Sequence, residues 1–370
     1  MREASDNRQA AVYANWVMHA LPLMKRSRLA EEGITARKAW ELTEEQWRTV
    51  AGITEKEIAG ILQSKRSFDP EREWQLLQEK GISFVCREES LYPGRLRNIH
   101  NPPYGLYYIG RLPVEEELAV SIVGARGRSD YGCTAARQLS LALGRRRTQV
   151  ISGMALGIDT DAHSGCLEGG GRTYAVLGCG VDVIYPRQNR FLYEQILKTG
   201  GGILSEYVPG TAAVAWQFPP RNRIIAGLSD AVVVIEARKK SGSLITADFA
   251  MEQGKEVYAL PGRICDPLSQ GTNQLISQGA GVLTGVEDFL QQLGILEASS
   301  CRQLDFSKNL LEKEELMVYS LLDFAPQGLA DLMDKTTIDL HQLLEILRSL
   351  EQKGFIRESV PNYYVRSMQL

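Results

Sequence analysis

The sequence has few of the residues that mark membrane, secreted and metal-binding proteins. Its 370 residues include four histidines, and its six cysteines form no C-x-x-C pair and have no histidine at ligand spacing. No apolar run reaches the roughly 18 residues of a membrane helix, and the polar start MREASDNRQA is unlike a signal peptide. We therefore expect a cytoplasmic protein with reduced, buried thiols and no bound metal.

Common nucleotide-binding signatures are also missing. The first glycine-containing loop reads G-A-R-G-R-S rather than G-x-G-x-x-G, and no acidic residue ends the second predicted strand to hold a ribose. No Walker lysine motif occurs anywhere in the chain. The sequence therefore argues against an ordinary NAD or ATP enzyme, and no cofactor is predicted.

Charge is distributed unevenly along the chain, although the formal net charge is only −3. Residues 118–285 carry 17 Lys and Arg against 13 Asp and Glu, whereas residues 312–351 carry three basic and nine acidic residues. The two segments therefore suit partners of different charge.

Five segments follow from the patterns. Residues 1–80 have apolar side chains at helical spacing, with Thr43 and Thr54 as N-caps, and predict a helical domain of the SAM or helix-hairpin-helix kind. Residues 81–117 read as connecting strands with Pro and Gly turns. Residues 118–290 form the central domain, 291–309 a linker, and 310–370 a winged-helix domain with three helix patterns and a hairpin.

The central domain alternates apolar runs with helix patterns. Six runs are predicted as strands: LAVSIVGAR, QVISGM, TYAVLGCG, GGILSEY, AVVVIEA and EVYALPG. Regular alternation predicts parallel strands with right-handed crossovers, in an α/β, extended Rossmann-like, doubly wound fold. The strands are apolar on both faces, as a sheet covered on both sides requires.

Loops assigned to the strand ends carry residues suited to anions. They are VGARGRSDYG, SGMALGID, LGCGVDVIYP, FPPRNR and ARKKSGSLIT, with FPPRNR placed just before the fifth strand. Glycine allows close approach of a backbone, and a helix N-terminus offers free N–H groups. The alternative is that these are ordinary tight turns with solvated rim charges. Recurrence at every strand end favours a phosphate-binding edge.

Two groups of residues could suggest catalysis. Asp159, Asp161 and His163 lie within five residues, but a helix-capping Asp159 and a packed His163 are a simpler interpretation than a metal site. Glu206 and Glu236 end strands and could act as an acid/base pair. With no nucleophile beside them, they are better explained as partners that hold arginines in place.

Aromatic residues accompany the basic loops. Tyr185, Trp216 and Phe218 are interleaved with arginines. Cations for phosphates and flat rings for bases are what single-stranded nucleic acid needs. Phe218, which precedes two prolines, is expected to be exposed.

The loops together resemble the DNA-processing protein A (DprA/Smf) family. The matching stretches include VGAR (123–126), SGMALGIDTDAH (152–163), FPPRNRIIAGLSDAVVVIEA (218–237) and SGSLITADFAMEQGKEVYALPG (241–262). The resemblance implies a homodimeric protein that binds single-stranded DNA, protects incoming DNA during natural transformation and helps to load RecA. It implies that Arg126 contacts phosphate, that Arg221 and Arg223 line the same pocket, and that Phe218 stacks on bases.

No catalytic residue is predicted. The full set of predicted DNA-binding residues is Gly124, Arg126, Ser152, Gly153, Gly178, Phe218, Arg221, Asn222, Arg223, Ser241, Gly242 and Ser243.

Two residues depart from the family's pattern. Ala125 stands where a small hydroxyl residue is common, and Leu156 stands where many relatives carry Lys. Each change is expected to remove a phosphate contact. For Leu156, the slope of log affinity against log salt concentration (the salt slope) is expected to be smaller by about 0.7.

Other functions remain as alternatives. The would-be recognition helix DLHQLLEILRSLEQKG carries Asp339, Glu345 and Glu351, so the winged helix is expected to contact protein rather than DNA. A transcription regulator is disfavoured for the same reason. A Rossmann-type nucleotide hydrolase, related to phosphoribohydrolases, is the alternative enzyme. Against it, PGRICDP lacks their double glycine, and the nearest acid of the SGSLIT helix is Asp248.

Overall fold

The structure is a computed structural model that describes residues 2–23, 25, 26, 29, 32–295, 312–323, 326–336 and 338–366. The chain divides into two compact units, Met1–Ile295 (unit 1) and Leu296–Leu370 (unit 2). Most of the predicted linker 291–309 lies outside the described residues. No helix in the described ranges has the length and apolar character needed to cross a bilayer.

Unit 1 is built on a mostly parallel sheet that contains nine strands within the described residues. The strands are β1 (Ser83–Cys86), β2 (Gly105–Gly110), β3 (Ala119–Val123), β4 (Gln149–Ser152), β5 (Thr173–Leu177), β6 (Gly202–Ser205), β7 (Ala231–Val234), β8 (Glu256–Ala259) and β9 (Gly281–Val282). Their order is β1-β2-β6-β5-β4-β3-β7-β8-β9. All neighbours are parallel except β1–β2 and β2–β6, which are antiparallel.

Helices cover this sheet and connect its strands. They are α6 (Asp130–Arg145), α7 (Ile158–Glu168), α8 (Arg190–Lys198), α9 (Phe218–Gly227), α10 (Gly242–Glu252), α11 (Gln270–Ser277) and α12 (Val286–Gln292). Strands β3, β4, β5, β6 and β7 are buried along their whole length, because helices pack on both faces. The six predicted strands and the mostly parallel α/β sheet are confirmed.

The segment FPPRNR was predicted as a loop, and that prediction is wrong. Residues Phe218–Gly227 form α9, the crossover helix between β6 and β7. Two prolines occupy its first turn, where a missing N–H costs nothing because no carbonyl lies within reach to accept it. Arg221, Asn222 and Arg223 are therefore helical residues, and all three are buried.

The amino-terminal residues of unit 1 form short helices that pack beside β1 and β2. The helices are α1 (Arg2–Ala20), α2 (Ala36–Glu41), α3 (Glu44–Thr49), α4 (Glu55–Ser67) and α5 (Pro70–Glu79). Thr43 and Thr54 form capping boxes with Gln46 and Glu57, as predicted for N-caps. Trp16 and Trp47 share an apolar cluster with Tyr107 of β2, so these helices are joined to the sheet through a common core.

Unit 2 is a small α/β unit of its own. Its elements are α13 (Lys313–Leu321), β10 (Gln327–Gly328), α14 (Leu329–Lys335), α15 (Leu340–Gln352), β11 (Ile356–Val360) and β12 (Tyr363–Arg366). The three strands form a sheet in the order β10-β12-β11. Leu343, Leu347 and Leu350 of α15 are buried against Phe355, and Glu315 binds Lys353 through hydrogen bonds of 2.6 and 2.7 Å.

The strand order places a topological switch point between β3 and β7. From β3 the chain moves through β4, β5 and β6 on one side, and then returns to β7 on the other side of β3. Val120 pairs with Val150 of β4 and with Ala231 of β7. In such sheets the loops at the carboxyl ends of the two diverging strands leave a crevice between them. The candidate site lies there.

Candidate functional site

A cleft of about 550 Å³ opens at the carboxyl ends of β3 and β7. Its walls come from the loop after β3, the first turns of α9, and the loop after β7 that leads into α10. Eight of the twelve residues predicted to bind DNA line it: Gly124, Arg126, Phe218, Arg221, Asn222, Ser241, Gly242 and Ser243. Segments more than 100 residues apart in the chain are thus brought to one edge.

Three exposed cations line the cleft. Arg126 follows β3, and Arg238 and Lys240 follow β7. None of the three is neutralised by the ion pairs that the described residues form. The sequence analysis counted Arg126 among the DNA-binding residues, but it left out Arg238 and Lys240 although their loop was one of those assigned to the strand ends. The signal was available, since ARKK comes directly after a buried strand whose carboxyl end had to reach the same edge.

Two guanidinium groups lie close to the ring of Phe218. The Cζ atoms of Arg126 and Arg221 are 5.5 and 5.8 Å from its ring centroid, and the ring of Tyr185 stacks at 5.7 Å with an interplanar angle of 29°. The ring is half-buried rather than fully exposed. These contacts hold the ring at the wall of the cleft, and its intermediate burial means that part of it is accessible to solvent.

Arg221 lines the cleft but is 6% exposed. Its Nη1 donates to the carbonyl oxygens of Gly153, at 2.9 Å, and Val176, while its Nε donates to Asn222 Oδ1 at 3.2 Å. Burial lowers the pKa of Arg221 to about 10, and the nearby charge of Asp159 opposes that shift. These contacts make Arg221 the buried support of the cleft wall, behind Phe218.

The start of α10 forms the opposite wall. Ser241 is the N-cap, its Oγ accepting from Ser243 N at 3.4 Å and lying 2.8 Å from Ser243 Oγ. Asn222 Nδ2 donates to Gly242 O at 3.1 Å, which ties α9 to this turn. A side chain at Gly242 would meet nothing within 4 Å, so the backbone there is open to a ligand. A helix N-terminus with exposed backbone N–H groups attracts anions.

Arg223 lies outside the cleft and is braced by Glu206. Its Nη2 donates to both carboxylate oxygens of Glu206, at 2.9 and 2.7 Å, and its Nε donates to Asn101 O at 2.8 Å. The predicted pairing of an arginine with a strand-end glutamate is confirmed for Glu206. It is wrong for Glu236, which instead accepts from the backbone N–H and the hydroxyl of Ser129 at the start of α6.

Three further predicted residues support the cleft from behind. Ser152 is fully buried and donates to Ile122 O at 2.7 Å, so it does not reach the cleft. Gly153 packs against Arg221, and a Cβ there would lie 2.7 Å from Arg221 Nη2. Gly178 packs against Phe218, and a Cβ there would lie 2.8 Å from the ring. These two glycines provide the space that lets α9 approach the sheet.

Asp159 and His163 are structural in this arrangement. Asp159 was expected to cap α7, but Gly157 holds that position, and Asp159 Oδ2 accepts from the N–H groups of Gly153 and Ala155 at 3.1 and 3.2 Å. His163 Nδ1 lies 2.6 Å from Thr173 Oγ1, and burial lowers its pKa to about 3. Across the described ranges, no group of three His, Cys, Asp or Glu residues is placed to hold a metal.

The two departures from the family's pattern lie at the cleft. Ala125 is buried in its wall, and its carbonyl oxygen accepts from Ile158 N at 3.2 Å. Leu156 is 39% exposed and lines a small adjoining pocket together with Arg126 and Phe218. An apolar side chain therefore lies in the adjoining pocket, of which Arg126 is also part.

The thiols differ partly from expectation. Within the described residues five cysteines are free, three of them buried, but Cys133 is half-buried and Cys265 is exposed. Cys301 lies outside the described residues.

Comparison with known proteins points to one family. The model of the family described as DNA recombination-mediator protein A matches residues 83–294. The chain is 41% identical over 273 residues to Protein Smf of Synechocystis sp., covering 73% of this chain and 68% of that protein. It is 42% identical over 204 residues to DNA processing protein DprA of Streptococcus pneumoniae, covering 55% and 72% of the two chains.

Two solved structures agree with this match. The X-ray structure of DprA from Streptococcus pneumoniae is 33% identical, covers 75% of this chain and 97% of that chain, and superposes with a TM-score of 0.66. The structure of DNA processing protein A from Helicobacter pylori, which describes a single-stranded DNA binding mode, is 31% identical with a TM-score of 0.53. It covers 57% of this chain and 95% of that chain. The matched family region, 83–294, contains every residue of the cleft.

Proposed function

This chain belongs to the DNA recombination-mediator protein A family, and from that premise we propose that its cleft binds single-stranded DNA without reading its sequence. The observation that carries the proposal is that an exposed cation, Arg126, and an aromatic ring, Phe218, lie together at one wall of the cleft. A basic groove with stacking surfaces is what sequence-independent single-strand binding requires. The relative from Helicobacter pylori, whose structure concerns single-stranded DNA binding, supports it.

The backbone phosphates of the strand lie along the cations of the cleft. Arg126, Arg238 and Lys240 provide the charge, and the open turn at Gly242, with the N-terminus of α10, provides backbone donors. Arg221 acts from behind, because its guanidinium already donates to carbonyl oxygens of the sheet. Phosphate contacts of this kind release counterions and make binding salt-dependent.

The protein acts on DNA by binding rather than by bond cleavage. Asp159 is the one carboxylate among the residues lining the cleft, and two backbone N–H groups and the nearby Arg221 already engage it. Asp248, the acid weighed for a nucleotide hydrolase, is exposed on α10 and does not line the cleft. This arrangement offers no free general base near a bound nucleotide and favours the binding function over hydrolysis.

In the cell the protein protects incoming DNA and helps to load RecA during natural transformation, as a cytoplasmic homodimer. Unit 2 serves as a winged helix that contacts protein. Asp339, Glu345 and Glu351 lie on or beside α15, and acidic groups on this helix repel a duplex. The amino-terminal helices α1–α5, of the SAM or helix-hairpin-helix kind, serve as a docking module or as a weak DNA-binding module.

The test is a binding isotherm for oligo-dT and for a duplex, each at two salt concentrations. Arg126→Ala is expected to weaken oligo-dT binding and to reduce the salt slope by about 0.7, the value of one lost phosphate contact on a single strand. Arg145→Ala is the matched control, because Arg145 is exposed in the last turn of α6, at the opposite edge of the sheet. Equal affinity of the two variants, or equal binding of duplex and single strand, contradicts the proposal.

A further inference from the structure

Trp216 is a large apolar side chain left in solvent at the rim of the cleft. It is 62% exposed, whereas Trp16 and Trp47 are buried in the core beside α1. Ala215, directly before it in the chain, and Phe218, two residues after it, both line the cleft. The indole is therefore carried at the edge of the proposed DNA site.

The turn that carries Trp216 is held in place. Residues Ala215–Gln217 form a short 3₁₀ turn in which Gln217 is buried and its Oε1 accepts from Val214 N at 2.9 Å. Tyr207 donates from its hydroxyl to Gln217 O at 3.3 Å, and its ring meets the indole edge-on at 6.3 Å. An edge contact supports the indole but leaves its area exposed. Because these contacts hold the turn in place, the indole loses little conformational freedom when a base stacks on it.

We propose that Trp216 is an outer stacking platform for a base of the DNA strand where the strand leaves the cleft. The inference rests on the proposed function and extends the site beyond Phe218. An exposed aromatic beside a groove with unpaired cations fits a base, because every base has a π-face and its phosphate remains near the basic groove. Val214, two residues earlier in the chain, is also an exposed apolar residue, at 45%.

A second copy of the chain is the other occupant that an exposed indole could accept. The nearby charges favour the nucleic acid. Arg126, Arg238 and Lys240 line the adjoining cleft, and like charges brought together by two copies of this edge would repel. If DNA is the occupant, a substitution of Trp216 changes the DNA affinity. If a second copy is the occupant, the substitution changes the molecular mass in solution.

The test uses the full chain with oligo-dT of about 4 and about 16 nucleotides, the range of site sizes known for single-strand binders. Trp216→Ala is expected to weaken binding of the longer oligonucleotide at least about fivefold, the equivalent of one stacked base. Binding of the shorter one, which the cleft alone accommodates, stays within twofold of the unsubstituted protein. Trp216→Phe keeps a ring and retains most of the affinity for the longer strand.

Intrinsic fluorescence provides the second readout. Saturation with the longer oligo-dT quenches tryptophan emission, and Trp216→Phe removes most of that quench while binding persists. Trp74→Phe is the matched control, because Trp74 lies half-buried in α5 and should leave the quench unchanged. A quench that survives in Trp216→Phe overturns the inference. So does a Trp216→Ala variant that binds both oligonucleotides with the affinity of the unsubstituted chain.

Failure of the inference is separable from failure of the proposed function. If the unsubstituted protein does not bind oligo-dT at all, the cleft itself is misassigned. If oligo-dT binds and Arg126→Ala weakens binding while Trp216→Ala does not, only the outer platform is wrong. A lower molecular mass of Trp216→Ala in sedimentation, with unchanged DNA affinity, assigns the indole to a contact between copies instead.

Discussion

Both carboxylate oxygens of Glu206 accept hydrogen bonds from one nitrogen of Arg223, and both side chains are only 4% exposed. The pair joins the end of β6 to the middle of α9. Arg26 donates to the carbonyl oxygen of the same glutamate at 3.3 Å, so a residue of the amino-terminal segment is attached to this point as well. Arg223 therefore positions the helix that carries Phe218 and Arg221, and takes no direct part in the cleft.

Removal of the Glu206 charge should destabilise the fold. Glu206→Gln leaves Arg223 buried without its counter-ion, and breaking a buried pair in this way costs about 3–5 kcal/mol of unfolding free energy. Urea unfolding measures the effect. Glu168→Gln is the control, since its ion pair with Arg137 is exposed and such pairs contribute at most about 1 kcal/mol. Equal stability of the two variants would show that Arg223 does not brace α9.

Gly178→Ala should displace Phe218 and weaken DNA binding. The added Cβ would lie 2.8 Å from the ring, closer than carbon atoms pack, so the ring has to move away from its contacts with Arg126 and Arg221. Oligo-dT affinity is expected to fall by roughly the value of one stacked base, about 1–3 kcal/mol. Gly60→Ala is the control in open space on α4. An unchanged affinity for Gly178→Ala argues against stacking on Phe218.

The loop after β7 allows a matched charge experiment. Arg238→Ala and Lys240→Ala should each reduce the salt slope of oligo-dT binding by about 0.7, because both side chains line the cleft. Lys239→Ala removes the same charge from the same loop, but Lys239 is exposed outside the cleft. A slope that changes equally in all three variants would indicate general attraction instead of defined phosphate contacts.

Acidification should destabilise the fold through His163. Burial holds its folded pKa at about 3, below the ordinary histidine value of 6.5, and the neighbouring charge of Arg221 acts in the same direction. The unfolded state therefore binds the extra proton, and the stabilisation present above pH 6.5 is lost as the pH falls towards 3, at up to about 1.4 kcal/mol per pH unit. His163→Gln should have a shallower slope of unfolding free energy over this range. Burial raises the pKa of Asp159, so this residue contributes a pH dependence of the opposite sign to the unfolding free energy. That contribution is present in the unsubstituted chain and in His163→Gln alike.

Removal of unit 2 should leave single-strand binding intact. The cleft lies wholly within unit 1, and unit 2 is a compact unit whose α15 region is acidic. A chain of residues 1–295 is expected to bind oligo-dT with the affinity of the full chain and to lose contacts with protein partners. Affinity that falls more than tenfold on truncation would show that unit 2 contributes to DNA binding.

The sequence predicted the sheet well because its signal is local. Each of the six central strands is an apolar run ended by glycine or a polar residue, and burial on both faces leaves little freedom for another assignment. Helix α9 was missed for an equally local reason. Its two prolines and its central Arg-Asn-Arg resemble a loop, and only contacts with distant partners, such as Glu206, bury those polar groups in a helix.

The sequence predicted where the cleft lies, but only some of the residues that line it. The strand ends indicate which loops meet at the switch point, and Arg126 and Ser241 do lie together in the cleft there. Whether an arginine faces solvent or the core depends on tertiary neighbours. Arg221 and Arg223 looked alike in sequence, but one donates to carbonyls behind the cleft and the other pairs with Glu206.

The position of β7 in the sheet has a consequence for synthesis on the ribosome. Val120 of β3 pairs with Ala231, so one edge of β3 stays unpaired until more than 100 further residues have been made. At about 5–20 residues per second, that interval lasts roughly 5 to 20 seconds. During it the nascent chain exposes an apolar strand edge of the kind that associates with other chains. A chaperone would be most useful at this stage, while the edge of β3 is unpaired. A translational pause before codon 231 should prolong this exposure and lower the yield of native protein.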